Sequence, residues 1–397
     1  MSRALDGIRI LDLGSYVAAP YCCMILADHG AEVIRAEPPG GKVDRELGPF
    51  SLGGQPLTYG FTVQRNKKNI TLNLRSERGK TLLGDLVKKM DAVVHNYPKG
   101  SEEAKILTYE HLSSLNPALI VTAISGFGQT GPYAEYLCFD AIAQAMSGYM
   151  SFSGYPNTPP LKASLPFIDY NTAARAALGT MLALFERKTS GQGQLVDIAL
   201  FDVAFSITAA SGCAAEYKLL GELRKQTGNC SFYAYTGICQ AKDGSLMINI
   251  IGNSIWRRMC RIMNREDLID DPRFKDNMGR YRNYEDIDAI LNEWIKEKTV
   301  SEARQMLEKT GVPCGPVNTV PQSLEVPQVA AREMLVEVEY PGAGKVPLPG
   351  VDIKLSRTPG QIAKRAPFLG ENNEDIYCGL LGFKPEDLLG FKLEKAI

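Results

Sequence analysis

Short apolar runs alternate with amphipathic stretches through the first third of the chain. Residues 8–13, Ile-Arg-Ile-Leu-Asp-Leu, read as a strand, Gly14-Ser15-Tyr16 turns the chain, and residues 20–29 space Cys22, Met24, Ile25 and Leu26 as a helix would. Gly30 stops that helix, and residues 31–36 form the next strand. The unit then repeats. Residues 69–74 are a strand, Ser76 followed by 79–89 a helix, and 91–96 a strand again. Residues 119–125 are almost continuously apolar, as a strand buried on both faces requires. Strands alternating with helices predict a parallel sheet and an α/β architecture.

The pattern changes further on. Helical spacing dominates from about 140 to 220, with one helix at 171–187. A polar stretch at 222–228 marks a boundary, followed by a strand pair near 235–240 and 245–250. A helix over 284–298 places Ile287, Ile290, Leu291, Trp294 and Ile295 on one face, and Thr299 with Glu302 forms a capping-box signature for the next helix. The Pro/Gly-rich residues 341–359 read as an extended return. The predicted layout is therefore a large α/β domain begun by 1–221, a smaller α+β domain at 222–330, and a segment 331–397 that completes the large one.

At 397 residues the chain is long enough for two or three domains at roughly 150 each. Its 44 Lys+Arg against 45 Asp+Glu give a formal charge of −1, which removes the electrostatic case for a nucleic-acid partner. A hydrophobic fraction of 45% supports a large core. No apolar stretch reaches the ~18 residues of a membrane span, and the first residues lack a signal-peptide core. Nine scattered cysteines with no C-x-x-C pair fit reduced thiols in a cytoplasm, with neither disulfides nor a metal site.

Gly126-Phe127-Gly128-Gln129-Thr130-Gly131 matches G-x-G-x-x-G, but Pro132 follows at once and no acidic residue sits where a dinucleotide ribose needs one. The loop fits better as a place where a ligand approaches the backbone closely. The three histidines, His29, His95 and His111, accompany no nucleophile elbow, no H-E-x-x-H and no phosphate-cradling loop. Carboxylates remain. Asp169 ends an apolar run and precedes a small-residue helix; it fits either an N-cap or a nucleophile held ionised at a helix N-terminus.

The chain resembles the family III CoA-transferases (the CaiB/BaiF family) over essentially its whole length. The carriers are Leu5-Asp6-Gly7-Ile8-Arg9-Ile10-Leu11-Asp12-Leu13 with Ala19-Pro20, Leu26-Ala27-Asp28 and Gly30-Ala31-Glu32-Val33-Ile34-Arg35-Ala36-Glu37-Pro38. Arg65-Asn66-Lys67-Lys68-Asn69-Ile70-Thr71-Leu72-Asn73-Leu74 and Ser125-Gly126-Phe127-Gly128-Gln129-Thr130-Gly131-Pro132-Tyr133 follow. Phe139-Asp140, the Asp169 segment and Gly191-Gln192-Gly193 with Val196-Asp197-Ile198-Ala199 complete the match. The resemblance implies a Rossmann-like large domain in an interlocked homodimer, with coenzyme A as substrate and no resident cofactor. It makes Asp169 the nucleophile, through a mixed anhydride and then an aspartyl-CoA thioester, with an acyl-CoA and a carboxylic acid as partners. The family's CoA contacts carry over to Val17, Ala18, Leu72, Asn73, Leu74, Arg75, Asn96, Tyr97, Phe139 and Asp140. Lys99 and Lys105 match the basic pair near the phosphates. The loop Ile251-Gly252-Asn253 is expected to help stabilise oxyanions.

Departures from the family pattern sharpen the expectation. Cys138 stands where relatives often carry Gly, Ala104-Lys105 replaces a common arginine, and residues 250–254 hold one glycine where oxalate-type members have a run. A Thr319-Val320-Pro321 and Ala331-Arg332-Glu333 stretch is shared with carnitine-type members, which points to a bulkier acyl group. Three rival activities follow from the same residues. An α-methylacyl-CoA racemase would need a histidine where Phe139 stands; an NAD-dependent oxidoreductase would use the glycine loop; a non-catalytic acyl-CoA binder would need no nucleophile.

Overall fold

The computed structural model describes residues 3–51 and 54–397. A six-stranded, wholly parallel sheet runs in the order β3-β2-β1-β4-β5-β6, with β1 at Arg9–Asp12, β2 at Glu32–Glu37, β3 at Lys67–Thr71, β4 at Ala92–His95, β5 at Ile120–Ser125 and β6 at Leu195–Ala199. The chain winds outward from β1 to β3, then returns to the other side of β1 at β4. That reversal opens a crevice beyond the carboxyl ends of β1 and β4, because their following loops diverge to opposite sides.

Both faces are covered. Helices α1 (Ala18–Asp28), α2 (Glu77–Val87), α3 (Asp140–Met146), α4 (Phe167–Ser190) and α5 (Leu200–Ala210) belong to this unit. One face packs Ile10, Val33, Ala92, Val94 and Ile120 against α1 and α4. There Ala173, Ala176 and Ala177 keep α4 slim where it meets α1, and a Cβ on Gly179 would come within 2.7 Å of Val196 Cγ1. The other face packs Leu11, Ile34, Val93 and Val121 against α2 and the C-terminal residues Ile376, Tyr377 and Phe391. On α2 alone, Leu82, Leu83, Leu86 and Val87 are buried, each stabilising by about 1.5–3 kcal/mol relative to exposure. Ser76 caps α2 by accepting from Gly79 N at 3.0 Å.

Two of the element boundaries differ from the sequence pattern for identifiable reasons. Strand β3 begins at Lys67, two residues before the apolar run, because Lys67 Nζ is buried against Asp12 Oδ2 at 2.7 Å and needs no solvent. Helix α4 starts at Phe167 and ends at Ser190, longer than 171–187 at both ends.

Contacts divide the chain into two compact units: Met1–Ser147, Ala163–Ala210 and Pro327–Ile397 form one, Gly148–Lys162 and Ser211–Val326 the other. The smaller unit thus differs from the predicted 222–330. Its polar stretch is not a free linker: Gln226 Nε2 donates to Ser153 O at 2.9 Å and Gly228 N to Gly154 O at 2.9 Å, which draws 148–162 into this unit. Its antiparallel sheet is β7 (Tyr235–Ala241), β8 (Gly244–Ile250) and β9 (Cys314–Pro316). Around it lie α6 (Asn253–Ile262), α7 (Tyr284–Ile295) and α8 (Val300–Lys309), with Trp256, Phe274, Ile287, Leu291 and Ile295 at the centre. The Thr299–Glu302 capping box forms as predicted. In the larger unit, the segment read as an extended return begins as a hairpin, β10 (Leu335–Tyr340) with β11 (Gly344–Pro349), packed on Phe61.

Candidate active site

A cleft of about 340 Å³ lies in the larger unit at the crevice where strand order reverses. Three loops build it. Ser15, Tyr16, Val17 and Ala18 follow β1; Asn96, Tyr97 and Lys99 follow β4; Ile124, Ser125 and Gly126 end β5. Tyr136, Leu137, Cys138 and Phe139 form a further wall, and Asp169 comes from the start of α4.

Hydrogen bonds lock these loops together. Asn96 accepts from Ser15 N at 2.8 Å and donates to Ser15 O at 2.9 Å, tying the β4 loop to the β1 loop. Tyr16 adopts a left-handed φ of 62°, unusual for a bulky side chain, and its N–H donates to buried Asp44 at 3.0 Å. Asp44 is itself held by Arg35 at 3.0 Å, and Arg35 also grips Glu37 at 2.8 Å. Burial opposes ionisation of Glu37, but Arg35 and Arg45 outweigh it and hold its carboxyl far below the usual range. Burial likewise pushes Asp12 up, and Lys67 and Arg35 bring it below its ordinary value. Lys42 donates to Leu13 O at 2.5 Å and Gly14 O at 2.7 Å; burial and neighbouring Arg35 depress it to about 8. This buried charge network sits directly behind the β1 loop and fixes its path.

Asp169 is the third residue of α4, not its N-cap. The N-cap position is Pro166, which offers no side-chain acceptor; the carboxylate of Asp140 takes its place, accepting from Ile168 N at 2.7 Å and Asp169 N at 3.1 Å. The expected electrostatics are also reversed. A helix N-terminus favours an ionised carboxylate, yet burial, followed by the like charge of Asp140, pushes Asp169 up to about 7. Beside it, burial and Asp169 push the Cys138 thiol up to about 11, so it stays protonated at neutral pH.

Of the residues singled out from sequence, Asp169, Val17, Ala18, Asn96, Tyr97, Lys99 and Phe139 meet in this cleft. Others do not. Asp140 is buried under α4 and is engaged as the surrogate cap, so its side chain is not a cleft surface. Leu72 and Leu74 point into the core, leaving only their backbone for a ligand. Asn73 donates to Lys395 O at 2.9 Å, and Arg75 reaches exposed towards Glu103 at 2.6 Å. Lys105 stands on a short helix, paired with Glu102 at 2.6 Å, and does not line the cleft. Near the cleft, His95 is buried and held down to about 4 by burial and Lys42, and no histidine lines the cleft. In the smaller unit, Gly252 N, expected to face an oxyanion, already donates to Asn277 Oδ1 at 2.8 Å.

The glycine loop has the geometry of close packing rather than dinucleotide binding. A Cβ on Gly126 would fall 2.4 Å from that of Cys138, Gly128 and Gly131 take positive φ, and Gln129 N donates to Asp197 at 3.0 Å. No helix opens at the loop; the next begins at Asp140. Sequence reasoning missed Ser15, Tyr16, Tyr136 and Leu137. Apolar and aromatic residues in a loop after Pro132, where turns are usually polar, were the available signal.

Among the described residues no helix is long and apolar enough to cross a membrane, and the nine cysteines are free thiols. The family profile described as CoA-transferase family III matches residues 5–373. The chain is 36% identical over 398 residues to the succinyl-CoA–D-citramalate CoA-transferase of Chloroflexus aurantiacus, covering all of this chain and 98% of that protein. It is 32% identical to the human succinyl-CoA:glutarate CoA-transferase, covering 96% of this chain and 87% of the relative. A crystal structure of a CaiB/BaiF family protein from Brucella suis superposes with a TM-score of 0.83 at 31% identity, covering 96% of this chain and all of that one.

Proposed function

Because the chain belongs to CoA-transferase family III, we propose that it passes coenzyme A from succinyl-CoA to a second carboxylic acid, with Asp169 as the covalent relay. The observation that carries this reading is the placement of one carboxylate, basic enough to attack a thioester and half-ionised near neutrality, at the wall of a cleft on the switch point of a parallel sheet. In support of this donor, the citramalate and glutarate transferases are both named for succinyl-CoA, while relatives of 30–33% identity are named for formyl-CoA and oxalate. None of these relatives is named for carnitine, so the carnitine-like stretches do not support the choice of acyl group.

The chemistry balances without metal or ATP. An Asp169 oxygen attacks the thioester carbonyl, the C–S bond breaks, and CoA leaves as thiolate, giving a mixed anhydride. The thiolate then attacks Asp169 Cγ and expels the donor as a free acid. The acceptor carboxylate attacks that aspartyl thioester, releases the thiolate again and forms a second anhydride. Attack of the thiolate on the acceptor carbonyl completes the new acyl-CoA and restores Asp169. Both anhydrides hydrolyse if water enters, so a cleft walled by Val17, Ala18, Leu137 and Phe139 suits the sequence. Lys99 at the cleft mouth, donating to Gln129 O at 2.6 Å, is the proposed phosphate contact.

The proposal includes a homodimer in a reducing cytoplasm. Leu178, Leu182 and Phe185, spaced four and three residues apart on α4, are 59%, 61% and 72% exposed, a stripe that an isolated chain would leave in water. Asp169→Ala is expected to fold, bind CoA and lose transfer by at least about a thousandfold. In the unaltered enzyme, mass spectrometry after mixing with succinyl-CoA alone should find CoA on Asp169, removable by hydroxylamine. Transfer retained by the variant, or a label on a cysteine, refutes the assignment.

A further inference from the structure

Helix α4 carries the proposed nucleophile on its first turn, yet nothing local caps it. The cap comes from 28 residues upstream, in α3. Asp140 Oδ2 receives the N–H groups of Ile168 and Asp169, while Oδ1 receives the Gln144 side-chain amide, a bond between partners four residues apart. Gln144 Oε1 in turn accepts from Ala163 N at 2.9 Å. Asp140 and Gln144 are both buried, so this bridge is sheltered from salt and water. Any Ser or Asn could satisfy the same N–H groups without charge. An anion there does something more: it opposes the loss of a proton from the neighbouring carboxyl.

We propose that the Gln144–Asp140 bridge is a positioning device for acyl transfer, holding the backbone N–H groups of Ile168 and Asp169 by one hydrogen bond each and setting a like charge against the Asp169 carboxylate. The inference rests on the reading of Asp169 as nucleophile. Its chemical consequence is directional. In the mixed anhydride the CoA thiolate has two carbonyl carbons to attack. Attack at the donor carbonyl expels Asp169 and reverses the step; attack at Asp169 Cγ breaks the other C–O bond and expels the donor acid with its electron pair. An ordinary carboxylic acid near 4 is a better leaving group than an aspartate at about 7, so burial and the like charge of Asp140 together bias either anhydride towards the aspartyl-CoA thioester, which draws the donor half forward and holds CoA on Asp169 until the acceptor attacks. The other titratable groups facing Asp169 are Cys138 from the loop before α3, Tyr59 from the turn Leu57–Thr62 and Tyr170 on α4 itself. All three are pushed upward and remain neutral at pH 7, which leaves Asp140 as the charge beside it.

Two variants test this in the full chain. Asp140→Asn keeps an acceptor for the N–H groups and removes the charge; the acidic limb of kcat/KM should move from near pH 7 downward by about one unit or more. In parallel, the Asp169 carboxyl is titrated by carbon-13 NMR, its signal assigned by loss in Asp169→Asn, and should move by the same amount. Gln144→Met keeps the charge and removes a neutralising donor, so the same titration should shift upward, opposite in sign. If the carboxyl titration moves while the kinetic limb does not, the coupling stands and the nucleophile assignment falls. If a folded Asp140→Asn leaves the Asp169 titration in place, the proposal is overturned. Should Asp140→Asn fail to fold, an unmoved or downward titration in Gln144→Met overturns it equally.

Discussion

Asp169 is held at a cost to the fold, and the sign of that cost can be worked out. Its carboxyl titrates at about 7 in the folded protein against an ordinary 3.8, so between those values the folded chain holds a proton that the unfolded chain has lost. Stability therefore falls as pH rises from about 4 to 7 and stays reduced above 7. Asp169→Asn removes the liability. With a discount for the partial exposure of the group, it should gain about 1–2 kcal/mol at pH 8, seen as a melting temperature higher by about 2–4 °C. Near pH 4 the gain should vanish in the same scan. The sequence singles this residue out as a candidate through its family motif; its basicity is not legible there. Local spacing argued for a low value at a helix N-terminus, and only the folded chain brings Asp140 beside it and takes both out of water. Lys99 belongs to the same scale: Lys99→Ala should raise KM for the acyl-CoA about five- to tenfold with kcat unchanged, and lose its effect in high salt.

Among the elements, the loop after β5 shows how a motif can match in letters and differ in purpose. Gly126 is a glycine because Cys138 crosses it, with a built Cβ only 2.4 Å from the cysteine's own. Gly126→Ala should therefore destabilise by about 1–3 kcal/mol in chemical denaturation, and Cys138→Gly introduced alongside should recover most of it. Equal losses in the single and double variants would show that the contact is not the cause. Strand and helix order in this unit were readable because Ile10-Leu11, Ala92-Val93-Val94 and residues 119–124 are buried and form short runs nearly free of polar interruption. Boundaries slipped where buried charge imitates a surface, as at Lys67, or where a cap is borrowed from afar, as at Pro166.

At the scale of the molecule, the cleft depends on strand order, and strand order on which loops cross which. The buried set Arg35, Glu37, Asp44, Lys42 and Asp12 lies behind the β1 loop and is invisible to hydropathy, which scores each of these residues as surface. The exposed stripe on α4 gives a test of assembly. Replacing Phe185 and Leu182 together by Glu should convert a dimer to monomer in analytical ultracentrifugation, while a wild-type chain that is already monomeric would dispose of the dimer.

The order of strands and helices, the family and the candidacy of Asp169 follow from the chain alone, because periodicity and contiguous motifs are properties of neighbours in sequence. Strand order around the crevice, the borrowed cap and the proton affinity of the carboxylate arise only when segments 28 or more residues apart meet out of water. Charge interactions and desolvation depend on distance in space, and no local pattern records them.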